Sequence, residues 1–283
     1  MIINKIKHNK SKIIFFIISC AVIFPTIYLV GNSFMSKQEL IKYYGSVFDY
    51  GGEFAVFNLL PDAFSLEGYY QALLRRPEYL LKFWNSLFLC TSICIGQIIV
   101  SLLGAYAFSK FEFKFKKILF GILFVVMLMP IQVTIVPNYL VIEKIGLLNT
   151  FAALIVPNIF SPFGTVFLTL SFNNVPNEIL QAAQIDGAEE KGLLFNILVP
   201  MCKNSIISVL VVTFVDNWNM VEQPVAYLSE VAKYPLSVFL STINYENFSV
   251  SFSCGVLSIV PVILIFAFFN KELVEGIEFL GMQ

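Results

Sequence analysis

Histidine is almost missing from this chain: His8 is the one example in 283 residues. Neither a Ser-His-Asp relay nor a His-rich metal site can be assembled from a single imidazole, and His8 itself, set among Lys5, Lys7, Lys10 and Lys12, reads as part of a charged flank. Charge is scarce as well. Only 13% of residues are charged against 58% hydrophobic, with 30 phenylalanines and a mean hydropathy of +0.79. Such a composition excludes an ordinary soluble enzyme and describes a chain whose solvent is largely lipid. Ser/Gly linkers, low-complexity tracts and internal periods are lacking, so one membrane domain is expected. A phosphate-binding loop is lacking too: Gly187 and Gly192 have its spacing, but Leu193 and Leu194 follow where Lys and Ser or Thr are required. This chain is not expected to bind ATP through a P-loop. The five cysteines, Cys20, Cys90, Cys94, Cys202 and Cys254, fall in or beside apolar runs and read as small apolar residues rather than a disulfide framework or metal site. No catalytic residue, cofactor, metal or nucleic-acid partner is expected.

What is present is a series of apolar runs long enough to cross a bilayer, for which about 20 residues are needed. Six spans are expected, at about 13–31, 83–109, 118–137, 151–171, 201–219 and 251–269, between a tail at 1–12 and another at 271–283. The fifth is the weakest, because Pro200, Lys203 and Asn204 interrupt it. Orientation follows from basic residues near span ends. The clusters Lys5 to Lys12 and Lys110 to Lys117, with Lys191, Lys203 and Lys271, put both termini in the cytoplasm of a cell membrane. The first run is longer than a signal-peptide core, contains Pro25, and lacks a small-x-small cleavage site after it. Residues 31–82 mix aromatics with charge and are expected to form amphipathic helices at the membrane surface or outer mouth; Arg75 and Arg76 there serve either a partner's acidic patch or a solvated face.

Between the fourth and fifth spans lies a polar, helically patterned stretch, NNVPNEILQAAQIDGAEEKGLLFNILVP at 173–200. Pro176 suits a first helical position, and Glu178 lies near the positive end of the helix dipole. Ile179, Ala182 and Ala183 fall on one face, and Gly187 ends or bends the helix. Leu193, Leu194, Ile197 and Leu198 then form a second apolar stripe before Pro200. Small residues at Ala182, Ala183, Gly187 and Ala188 would let this elbow sit deep in a groove of another protein.

These residues resemble the cytoplasmic loop of ABC importer permeases, whose pattern is Glu-Ala-Ala, three residues, Gly, nine residues, then Ile-x-Leu-Pro. Ala182, Ala183, Gly187, Ile197 and Pro200 match at the family's spacing; Gln181 and Val199 depart from it, and Asp186-Gly187-Ala188 is the form common in the carbohydrate-uptake branch. Four further segments are similar to that branch, and to its smaller, maltose-type permeases: FWNSLFLC at 83–90, AYAFSKFEFKFKK at 105–117, MPIQVTIVPNYLVIEKIGLLNT at 129–150, and DNWNMVEQPVAYL at 216–228, followed by VEGI at 274–277. The resemblance implies an all-α type I importer permease fold of six transmembrane helices with a cytoplasmic coupling helix. It also implies a transport subunit rather than an enzyme, paired with a second related permease, two ATP-binding subunits and an extracytoplasmic substrate-binding protein. Glu178, Gln181, Ala182, Ala183, Asp186, Gly187, Ala188 and Pro200 then become the ATPase-coupling residues. The cargo it implies is a carbohydrate, with a non-sugar solute as the alternative.

Polar groups inside the spans must find partners where water is absent. Asn85, Gln97, Gln132, Asn138, Asn158, Asp216, Asn217 and Asn219 either face a hydrated passage or tie helices together. Trp218, which could stack on a sugar face, and Asn219 are the candidates for the translocation path. An ion-coupled carrier would place carboxylates or basic groups near mid-membrane and often carries internal repeats, and this sequence displays neither clearly.

Overall fold

The computed structural model describes residues 2–47, 54–75, 77–242 and 248–281. The side chains of the basic tail, His8 and Lys5 to Lys10 among them, and Arg76 lie outside the described set. Among the described residues there are helices and no strands. In chain order they are α1 (Ile2–Ser33), α2 (Lys37–Tyr44), α3 (Glu67–Tyr70), α4 (Pro77–Lys110), α5 (Lys116–Met127), α6 (Ile131–Lys144), α7 (Ala152–Ile159), α8 (Pro162–Asn173), α9 (Asn177–Ile185), α10 (Glu190–Met201), α11 (Lys203–Trp218), α12 (Glu222–Tyr227), α13 (Leu236–Ser241) and α14 (Phe248–Gly281).

Four stretches are apolar and long enough to cross a membrane: Phe15–Ser33, Glu78–Lys110, Ala152–Asn173 and Val250–Gly276. The other two expected spans are bent pairs. α5 and α6 meet at 105°, so the run expected to continue over 118–137 is broken in its middle. Pro130 is the cause: it has no N–H to donate and disfavours helical backbone at the residue before it. α10 and α11 meet at 78°, the chain leaving helical geometry at Cys202, two residues after Pro200.

The chain divides into two compact units, Met1–Leu81 with Phe239–Val260 and Lys82–Val238 with Pro261–Gln283. Their boundaries fall inside α4, α13 and α14, which is why no linker composition marks them. In the first unit, Met35, Leu40 and Tyr44 are buried with Tyr28, Tyr43 and Phe252 packed against them. Of the aromatics in the segment after α1, Tyr43 and Tyr44 join this core, while Phe54, Phe57, Phe64 and Tyr70 are exposed. Ser36 caps α2 by accepting from the Glu39 N–H at 3.3 Å, and the Tyr44 hydroxyl donates to Asn32 Oδ1 at 2.6 Å. Arg75 is exposed.

Among the described residues the second unit shows two cores. One gathers Leu89, Ile142, Ala153, Leu154, Tyr227 and Leu228 beneath a knot of loops tied by amide side chains. Asn149 holds left-handed backbone (φ 59), which Asn tolerates better than most residues, and its Oδ1 accepts from the N–H groups of Ser229 and Glu230 at 3.2 and 3.1 Å. Lys233 and then Asn149, both bonded to the exposed Glu230, hold its carboxyl below the ordinary carboxylate range. Asn85 donates to the carbonyls of Ala232 and Tyr234, and Ser86 accepts from the Leu236 N–H at 2.8 Å. The Asn-Ser of FWNSLFLC and the Asn of GLLNT are thus loop fasteners.

The other core joins Leu102, Leu168, Phe172 and Val209 to Leu180, Leu193, Leu194 and Leu198. Beside it the end of α14 abuts α11, and Gly276 makes the approach possible: a Cβ there would stand 2.2 Å from Ser208 Oγ and 2.6 Å from the Asn204 carbonyl oxygen. Asn204 donates to Glu275 at 2.7 Å, so the VEGI segment is an anchor for α14.

Candidate functional site

Residues 173–200 form a two-helix elbow, α9 and α10, joined at Gly187. α9 begins at Asn177, so Pro176 stands one position before the helix rather than inside it. Its end is a two-bond glycine cap: Gly187, at φ +89, donates to the Gln184 carbonyl at 3.0 Å and Ala188 to the Ala183 carbonyl at 2.9 Å. The backbone of α10 widens to π turns over Leu193–Leu198, a geometry that recurs at functional sites.

The faces of the elbow differ from the sequence expectation. Leu180 is the buried residue of α9, at 7% exposure, whereas Ile179 is 39% and Ile185 86% exposed. Ala182 is exposed, and Ala183 and Ala188 are half-buried against the core. The inward stripe of α10 is as expected, with Leu193, Leu194 and Leu198 buried and Ile197 packed on them. Each buried leucine contributes ~1.5–3 kcal/mol, so the inner face of the elbow is firmly part of the core of its unit. Outward it offers Ile179, Ala182 and Ile185, with Glu178, Asp186 and Pro200 also exposed.

Two polar ties hold the elbow to the end of α4. The Lys110 ammonium donates to the Val175 carbonyl at 3.1 Å and to Asn177 Oδ1 at 3.0 Å, and the Tyr106 hydroxyl donates to Glu190. A crevice of about 320 Å³ lies between them, walled by Tyr106, Lys110, Glu112, Gln181 and Glu190. Gln181 thus shares the crevice with two carboxylates and the Lys110 ammonium. Lys110→Met is expected to free this end of α9 and raise amide exchange across Asn177–Ile185 about tenfold, the loss of roughly one charged hydrogen bond. Unchanged protection by hydrogen-exchange mass spectrometry would show the tie to be idle.

A second feature of the same unit is a cavity of about 440 Å³. Gln97 reaches it from α4, Asn158 from α7, Asp216 and Asn217 from α11, Asn219 from the following turn, and Glu222 and Gln223 from α12. Asn158 donates to Gln223 at 2.7 Å, and Gln132 to Glu222 at 2.8 Å. Asn217 and Asn219 donate back to the carbonyls of Thr213 and Val215, both at 2.8 Å. Of the eight polar span residues singled out in sequence, five line the cavity. Asn85, Gln132 and Asn138 do not: the first fastens a loop, the second bonds the lining residue Glu222, and the third bonds Tyr227.

Trp218 is a correction. Its ring is only 4% exposed, stacked on Phe214 at 5.4 Å and edge-on to Phe83 at 5.7 Å, so it is core and offers no face to a sugar. The i, i+4 pair Phe214 and Trp218 was the signal for this. Glu222 and Gln223 were passed over, because they belong to a short helix outside every apolar run.

Residues 97–278 match the family model described as binding-protein-dependent transport system inner membrane component. Similar curated proteins include the arabinooligosaccharides transport system permease protein AraQ of Halalkalibacterium halodurans, 24% identical over 272 residues (95% of this chain, 94% of that one). The sn-glycerol-3-phosphate transport system permease protein UgpE of Brucella abortus is 26% identical over 267 residues, 90% of each chain. Among solved structures, a chain of a bacterial ABC transporter involved in the import of the acidic polysaccharide alginate superposes with a TM-score of 0.81 at 20% identity, covering 95% of this chain and 96% of that one. A second, of the bacterial alginate ABC transporter in complex with alginate pentasaccharide-bound periplasmic protein, gives 0.65 at 14% identity, over 94% and 95%.

Proposed function

We propose, for a chain that belongs to the family of binding-protein-dependent transport system inner membrane components and is an ABC importer permease, that it forms half of a carbohydrate pathway and is driven through the 173–200 elbow. The observation that carries the reading is the division of that elbow. Its inner leucines are part of the core of its unit while Ile179, Ala182 and Ile185 stand uncovered. An apolar face on a firmly packed body is what a partner needs in order to move the body as a unit, since packed interfaces switch between discrete arrangements more readily than they bend.

Glu178, Gln181, Ala182, Ala183, Asp186, Gly187, Ala188 and Pro200 would meet an ATP-binding subunit on the cytoplasmic side, with both termini on that side as the basic clusters favour. A second related permease would supply the other half of the pathway, and an extracytoplasmic binding protein would deliver cargo. Two ATP-binding subunits would close on ATP and open on hydrolysis, swinging the spans between inward- and outward-open states. The relatives named above carry an arabinooligosaccharide, sn-glycerol-3-phosphate and an acidic polysaccharide, so polyhydroxylated cargo is the shared chemistry.

The test is energetic. In cells expressing the whole importer, depleting ATP at constant ion gradients should abolish uptake, and an ionophore at constant ATP should not. The opposite pattern would identify an ion-coupled carrier.

A further inference from the structure

We infer that the cavity between α4, α7, α11 and α12 binds cargo directly and admits uncharged polyhydroxy compounds in preference to anions, an inference resting on the importer reading above. Its volume of about 440 Å³ lies within the ~300–1,000 Å³ typical of small-molecule sites. Its walls are rich in groups that recognise hydroxyls: the amides of Asn158, Asn219 and Gln223 both donate and accept, and the carboxylates of Asp216 and Glu222 accept. A carboxylate takes two neighbouring sugar hydroxyls in the way it takes any pair of donors, and these charge-assisted bonds are stronger than neutral ones.

The same walls are hostile to negative charge. No lysine or arginine stands among the lining residues, and none of the four ion pairs among the described residues involves Asp216 or Glu222. A phosphate or uronate entering the cavity would shed water beside one or two uncompensated carboxylates, and amide dipoles alone repay little of that cost. The charge of this cavity is therefore a selectivity element against anionic cargo.

The experiment uses the purified importer complex with its partner subunits, without binding protein, so that selection upstream does not intervene. In a Cys20→Ser background, which removes the exposed thiol, Met220→Cys reports the cavity through its rate of maleimide labelling, and Val221→Cys is the second reporter. The probes are a neutral trisaccharide and the same trisaccharide oxidised to its uronic acids. The neutral probe should slow labelling at about tenfold lower concentration than the anionic one, and Asp216→Asn should narrow that gap. Equal protection by both probes would overturn the charge selection, and protection by neither would overturn the cavity as a cargo site. Both failures differ from failure of the importer reading, which shows as a complex without an ATP-hydrolysing subunit or as uptake indifferent to ATP.

Discussion

Gly187→Val is expected to abolish uptake and the stimulation of ATP hydrolysis by cargo while leaving membrane insertion intact. The argument is one of backbone. Gly187 sits at φ +89, and an ideal Cβ placed on it meets nothing within 4 Å, so the substitution creates no clash and harms only through conformation. Left-handed backbone costs an L-residue about 1–2 kcal/mol, and more for a β-branched one. The cheapest relief is to unwind the cap, which releases the Ala188 to Ala183 bond and rotates α9 against α10. The outward Ile179, Ala182 and Ile185 would then leave register with α10. Substitutions should rank by their tolerance of positive φ, Gly above Asn, then Ala, then Val, with uptake falling at least tenfold by the end of the series. Insertion is read from protease accessibility of the loops, transport from cargo uptake in cells. Wild-type uptake and stimulated hydrolysis in Gly187→Val would remove the elbow from the mechanism.

The existence of that elbow was legible because three independent signals coincide: a proline at its start, a glycine at its joint, and leucines at helical spacing after it. Which side of α9 faces the core was not. The helix has apolar residues on two faces, Leu180 with Ala183 and Ile179 with Ala182 and Ile185, and periodicity ranks neither. Only the neighbours decide: Phe172 and Leu193 come from the adjoining helices and Leu102 from α4, remote in sequence. The same limit explains Trp218, whose polar flanks Asp216, Asn217 and Asn219 suggest a hydrated passage. Those flanks do line the cavity, while the ring turns to Phe214 and Phe83. Hydropathy marks the apolar run over 118–137 but not its 105° bend, since a proline in an apolar run leaves the mean hydropathy almost unchanged while removing a helical hydrogen bond. The motif segments FWNSLFLC, GLLNT and VEGI pointed to the family, yet their physical content is fastening: Asn85, Ser86, Asn149 and Gly276 hold loops and helix ends in place.

Ile185→Glu gives the sharpest separation between fold and coupling. Ile185 is 86% exposed and closes α9 two residues before the joint, so a charge there costs the isolated subunit little, within about 0.5 kcal/mol for a surface change. In an interface the balance reverses. A glutamate in a dry apolar contact must be desolvated without a partner, and loss of a central anchor typically costs ~2 kcal/mol or more, an affinity change of about 30-fold. The variant should therefore melt at the wild-type temperature after purification as a lone subunit, fail to retain the ATP-hydrolysing subunits through size exclusion, and transport nothing. Leu180→Glu is the contrast, because Leu180 faces inward among Leu193, Leu194 and Phe172: that change should lower the melting temperature as well. If Ile185→Glu keeps a complete, active complex, the outward face of α9 is not where the motor holds this permease, and the crevice walled by Gln181 and Glu190 becomes the next surface to test.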